Sequence, residues 1–159
     1  ALGASYLTPW WGIQADVDWL YSRGQDQAYY VDLSQSIVGQ TTLGTPIYDF
    51  TNGEDNYMLT TSDEAPESTT VSLVLRKEFD FGLDLLLGYA YTDAEDVSPM
   101  TSSVASSNFG NTALLDINNP TPAQSNYVVP HRFTLRALYS QQFFGELETR
   151  IALNAIAQE

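Results

Sequence analysis

The sequence predicts an all-β chain: an antiparallel transmembrane β-barrel section of about six strands with long extracellular loops. Three observations carry this. Strand-length stretches alternate apolar and polar side chains with period two rather than 3.6. Very short turns alternate with long acidic loops. No run of roughly 18 apolar residues is present, so no transmembrane helix is expected.

The elements follow in order. Leu2 to Leu7 reads as a strand ended by the turn Thr8-Pro9-Trp10-Trp11-Gly12. In the next strand Ile13, Ala15, Val17, Trp19 and Tyr21 share one parity, against Gln14, Asp16, Asp18 and Ser22 on the other. It is expected to run from Ile13 past Tyr21 towards Asp32, about twice the roughly 10 residues that cross a bilayer. The stretch 33–67, with five Gly or Pro residues, reads as a loop holding a short hairpin.

Thr69 to Phe79 is a third strand and Asp80-Phe81-Gly82 its turn. Leu83 to Asp93 sets Leu83, Leu85, Leu87, Tyr89 and Tyr91 against Asp84, Gly88, Ala90 and Thr92, aliphatic in the middle and aromatic at one end. The stretch 97–130, rich in Ser, Asn and Pro, is the second long loop. His131 to Phe143 and Leu147 to Gln158 form a last pair of strands about the turn Phe144-Gly145-Glu146.

Charge fits the same geometry. The 159 residues carry 20 acids and 6 bases, net −14, which argues against nucleic acid as a partner. Aromatic residues make up 13% of the chain, enough for interfacial girdles. The mean hydropathy, −0.19, is ordinary for a wall in which every second residue meets lipid. With no cysteine, neither a disulfide framework nor a thiolate metal site is available. The chain begins at Ala1 with no basic or apolar leader, so any signal peptide is expected to be already removed.

Asp16, Asp18, Arg76, Asp84, Arg132, Arg136 and Arg150 fall on polar parities and are expected to face the lumen, with Asp16 and Asp18 pairing with arginines of a neighbouring strand. Lys77 lies on the apolar parity beside a turn, where its stem can snorkel to the interface. Asp93, Glu95 and Asp96 form an acidic cluster that could take Ca²⁺ through hard oxygens, although no EF-hand spacing is present and a solvated acidic rim accounts for it as well. Tyr29, Tyr30, Tyr48, Phe50 and Tyr57, all in the first outer segment, are the candidate ligand-contacting aromatics; Trp10, Trp11 and Trp19 suit a membrane girdle. His131 is the sole histidine, a weak basis for catalysis and better suited to an interfacial role, so no enzyme is expected.

The run Gly88-Tyr89-Ala90-Tyr91-Thr92-Asp93-Ala94-Glu95-Asp96-Val97-Ser98-Pro99-Met100-Thr101-Ser102-Ser103-Val104-Ala105, continued by Ser107-Asn108-Phe109 and by Ser125-Asn126-Tyr127-Val128-Val129-Pro130-His131-Arg132-Phe133-Thr134, resembles TonB-dependent outer-membrane receptors of the Oar-like type. Trp10-Trp11-Gly12 and Phe143-Phe144-Gly145 add to that resemblance, which covers most of residues 1–159. It implies a portion of a 22-strand barrel in the outer membrane of a Gram-negative bacterium, with short turns towards the periplasm and long loops outside. It also implies import of a scarce nutrient without covalent chemistry or a cofactor, driven through a plug domain by the TonB complex. No plug or TonB box is found, and the end at Gln158-Glu159 lacks the terminal aromatic of such barrels. An internal or late section is therefore expected, completed by the rest of a longer chain or by other subunits. Two alternatives remain: a structural, adhesion or assembly subunit that meets other surface proteins through its loops, and a soluble secreted all-β binding module.

Overall fold

The computed structural model describes residues 1–51 and 53–159. The chain is mostly antiparallel β-sheet, with one short helix among the described residues. It divides into two compact units: 1–22, 68–93 and 127–159 form the first, and 23–67 with 94–126 the second.

The first unit is a meander of long strands. β1 (Leu2–Leu7) pairs with β2 (Ile13–Arg23), which neighbours β7 (Glu67–Glu78), then β8 (Leu83–Asp96), β10 (His131–Phe144) and β11 (Leu147–Gln158). The registers put like with like. Leu2, Ala4 and Tyr6 oppose Trp19, Val17 and Ala15. Leu87 opposes Leu135, and Tyr89 opposes Phe133. Leu135, Ala137 and Tyr139 in turn oppose Ala155, Leu153 and Ile151. Residues directly opposite in an antiparallel pair share a face, so an apolar face runs across β1 and β2 and across β8, β10 and β11, and Leu73 and Leu75 of β7 line one hollow with Leu87, Tyr89 and Leu135. The other face carries Asp16, Asp18, Asp84, Arg136 and Asn154, with Leu86, Leu138 and Ile156 as apolar interruptions. No hydrophobic residue of this unit is buried: the two buried apolar side chains among the described residues, Val97 and Phe109, belong to the second. The stripes of β8 and β10 are thus neighbours within one layer.

The short turns lie at one end of this sheet. Thr8 N–H donates to the Ile13 carbonyl (2.8 Å), Phe79 N–H to that of Leu83 (2.8 Å), and Ser140 N–H to that of Gly82 (2.8 Å). Gly82 has φ +88°, and a Cβ placed there would run into the Ser140 carbonyl oxygen, so this turn requires glycine. Lys77 Nζ donates to the Trp11 carbonyl (2.6 Å) and lies 4.8 Å from the Phe79 ring centre. The snorkelling expected of it ends on a turn carbonyl.

The second unit departs from the sequence expectation. β2 stops at Arg23, because Gly24 turns away to donate to the Pro66 carbonyl (2.8 Å) and Asp26 takes a left-handed φ of 51°. The chain then forms β3 (Ala28–Asp32), β4 (Gln35–Gln40), β5 (Pro46–Phe50) and β6 (Tyr57–Thr61). β4 and β5 are the expected hairpin, whereas the pairing of β3 with β6 was not foreseen. The second long loop holds helix α1 (Ala105–Gly110), which packs on β3 and β6, and β9 (Ala123–Gln124), which pairs with the end of β8. The ring of Phe109 lies 5.2 Å from that of Tyr57. Around Val97 and Phe109 the core is otherwise polar: Asp32, Ser34, Ser62, Ser98 and Asn108 are all buried.

Candidate functional site

Two groupings bring the candidate residues together. On the polar face of the sheet, Asp16 Oδ2 lies 3.9 Å from Arg76 Nη1, and Asp16 Oδ1 accepts from Ser5 (2.5 Å) and Gln14 (3.0 Å). The carboxylate is thus met by donors from β1, β2 and β7. Asp18 sits opposite Gly3, where an added Cβ would come within 2.6 Å of its Oδ1. Glycine there leaves the carboxylate its space. Arg76, Asp84, Leu86, Arg136 and Leu138 line a hollow of about 230 Å³, in which Arg136 faces Leu86 across the β8–β10 ladder. Arg132 donates to Gln158 (3.3 Å) and Arg150 to Glu148 (2.8 Å), both exposed to solvent. Charges of both signs therefore line one face, some already paired.

At the ends of the apolar face the aromatics gather. Trp10, Trp11, Phe81, Phe143 and Phe144 are exposed at the short-turn end. Towards the opposite end Trp19 stacks near Tyr21 (6.5 Å between centres), and His131 lies between Tyr89 and Tyr91 (6.1 and 5.3 Å). His131 Nδ1 shares a 2.9 Å hydrogen bond with the Tyr89 hydroxyl, which fixes the ring in this belt. Between Leu83 and Tyr91 the strand rises about 26 Å.

In the second unit the organising residue is Asp32, 2% exposed, at the end of β3. Its Oδ1 accepts from Ser34 N–H (2.9 Å), Ser34 Oγ (2.6 Å) and Asn56 N–H (3.0 Å). Burial penalises the charged form, but these donors outweigh it and hold the carboxyl below its ordinary pKa. Oδ2 is buried without a hydrogen-bond partner among the described residues. Asn118 clasps the same residue's backbone, accepting from Asp32 N–H (2.7 Å) and donating to its carbonyl (3.3 Å). Asp116 Oδ1 takes the Tyr48 hydroxyl (2.6 Å) and the N–H groups of Asn118 and Asn119. Burial and then Asp116 push the Tyr48 phenol up to about 12. Burial, a hydrogen bond to Asp55 and the nearby carboxylates raise Tyr57 as well.

The five aromatics proposed for ligand contact do not form one cluster. Tyr29 and Tyr30 are successive residues of β3, on opposite faces, and Tyr57 is on β6. Tyr48 and Phe50 belong to the separate β4–β5 hairpin. Tyr48 and Tyr57 are engaged in packing and hydrogen bonds, while Phe50 is largely exposed. Asp93, Glu95 and Asp96 succeed one another along β8, so Asp96 points away from the other two, and Glu95 accepts from Glu67 N–H (3.4 Å). No group of three or more acidic or histidine side chains placed to hold a metal ion occurs among the described residues. Sequence reasoning missed Asp32, Asp116 and Asn118. The only local signal was Asp32-Leu33-Ser34, a carboxylate two residues before a hydroxyl, which is turn chemistry rather than a functional motif.

No family model, curated protein or solved structure matches the chain.

Proposed function

We propose that the first unit is a stretch of outer-membrane barrel wall, in a TonB-dependent receptor of the Oar-like type that binds a scarce nutrient and passes it inward. The observation that carries this reading is the bare apolar face. Leu2, Val17, Leu73, Leu87, Phe133 and Leu153 are all exposed on a one-layer sheet, a patch far larger than a water-soluble surface normally shows. Aromatic residues frame that face at both ends, and the roughly 26 Å between Leu83 and Tyr91 matches an apolar band about 25 Å tall. A soluble sandwich needs the stripes of β8 and β10 to face each other across a core, yet they lie side by side in one layer. The open edges at β1 and β11 call for further strands, since unpaired backbone groups in lipid cost several kcal/mol each.

In this reading the polar face lines the lumen. Its mixed charges hold a plug through ion pairs that can be exchanged, and the acidic outer segments repel anions and favour cationic or metal-bound cargo near the mouth. The test is the behaviour of the chain with and without detergent. Monodisperse β-rich protein in detergent, and aggregation on its removal, is the expected outcome. A monodisperse species in plain buffer would sink the proposal.

A further inference from the structure

We infer that the polar face of β10 holds an acidic, extended segment of the plug through Arg132 and Arg136. The inference rests on the barrel reading, in which this face lines the lumen, and names what that wall grips. The chain has 6 bases against 20 acids. Arg23, Arg76 and Arg150 each reach a carboxylate, on Glu67 (3.8 Å), Asp16 (3.9 Å) and Glu148 (2.8 Å), and Lys77 donates to a turn carbonyl. Arg132 and Arg136 are the arginines left without an acid among the described residues, and both stand on one face of one strand. The register keeps acids away from them. Arg132 stands between Ala90 and Gln158, and Arg136 between Leu86 and Asn154. A sheet pairs its charges between cross-strand neighbours, and none of these four is acidic. No ion pair joins Arg136 to Asp84, its diagonal neighbour in the same hollow. In so acidic a chain, two adjacent cations kept clear of every carboxylate leave that role to an acid from outside the sheet.

Spacing selects the form of the occupant. Arg132 and Arg136 are four residues apart, about 13 Å along the strand. They lean to opposite sides, Arg132 donating to Gln158 of β11 (3.3 Å) and Arg136 entering the hollow it shares with Asp84 and Leu86 of β8. One small anion does not span both, whereas two carboxylates four residues apart on an extended chain do. Thr134 stands between them and offers a third donor, its hydroxyl lying over Gly88, where an added Cβ would collide with it. Charge selects the source. In the barrel reading the acidic outer segments turn free anions away from the mouth, so an acid that reaches this wall is carried by the polypeptide inside it.

The probe is a capped serine peptide of about nine residues with two glutamates four positions apart. It is titrated into the full chain in detergent micelles and followed by the arginine Nε–Hε resonances. Its controls carry the two glutamates side by side, or two lysines at the original spacing. Arg150, already paired with Glu148, is the internal reference. The expected result is a saturable shift of the Arg132 and Arg136 resonances with the spaced glutamate peptide, while that of Arg150 stays unmoved. Arg136→Gln should weaken binding about threefold, and its combination with Arg132→Gln about tenfold. Far-ultraviolet circular dichroism shows that both variants keep the sheet. Absence of a saturable shift overturns the inference. So does equal binding of either control peptide, and so does binding indifferent to both substitutions. The barrel reading fails separately, on a monodisperse chain in plain buffer; a detergent-dependent chain that ignores the peptide sinks this inference alone.

Discussion

Asp32 shows what one residue can hold together. Its Oδ1 takes three donors and its backbone is clasped by Asn118, so segments from 32–34, 56 and 118 meet on a single residue. Asp32→Ala would leave those donors unmet and is expected to cost the second unit about 1–3 kcal/mol, read as a lower unfolding midpoint in tyrosine near-ultraviolet circular dichroism. Because the native carboxyl titrates below its unfolded value, its contribution is complete above the unfolded pKa of about 3.9 and lost as pH falls through the folded one. Acid should therefore loosen this unit only below about pH 4. Tyr48 has the opposite sign: its pKa of about 12 lies above the unfolded value near 10, so its contribution is present below pH 10 and lost as pH climbs towards 12. Tyr48→Phe should shrink that alkaline phase in a pH titration of stability, leaving the share that Tyr57 contributes with the same sign. Little of this was legible beforehand. Asn118 lies 86 residues from Asp32 and Asp116 lies 68 from Tyr48, and no local pattern announces contacts of that span; the Asp32–Ser34 contact is local but reads as turn chemistry.

At the scale of elements the sequence was more generous. The long strands end within a few residues of where alternation placed them, and Leu147–Gln158 coincides, because a face meeting one medium and a face meeting another must alternate. The exception was β2, whose pattern runs on past Arg23 although Gly24 bonds to Pro66. β3 and β6 escaped notice because their pairing spans 33–56, a stretch that itself holds the β4–β5 hairpin, so no single turn joins them. The parity claim has a direct test. Leu86 and Leu87 are adjacent, but Leu86 opposes Arg136 and Leu87 opposes Leu135. Leu87→Glu should destabilise the sheet by about 1–2 kcal/mol, while Leu86→Glu gains an ionic partner and stays near neutral, as read by denaturant midpoints in detergent. Gly82→Ala forces a left-handed residue and a clash with the Ser140 carbonyl; it should cost at least about 1–2 kcal/mol in the same assay.

For the whole molecule, the division into two units separates two kinds of stabilisation. The first leaves its apolar side chains exposed; the second closes a small interior on itself, mostly with polar groups. Charge divides in the same way, since 11 of the 20 acids lie in the second unit with a single base. The candidate site was readable only in part for this reason. Strand parity locates Asp16 beside an arginine of a neighbouring strand, whereas a polar interior has no hydrophobic period to betray it.

That interior has a thermal consequence. Heat capacity rises on unfolding mainly because oil-like surface becomes wetted, and among the described residues Val97 and Phe109 are the only buried apolar side chains of this unit. Calorimetry of the second unit's transition should accordingly give an increment well under the usual 12–15 cal/mol/K per residue. Its stability would then vary gently between cold and warm, and this unit would keep its shape across a broad span of ambient temperatures.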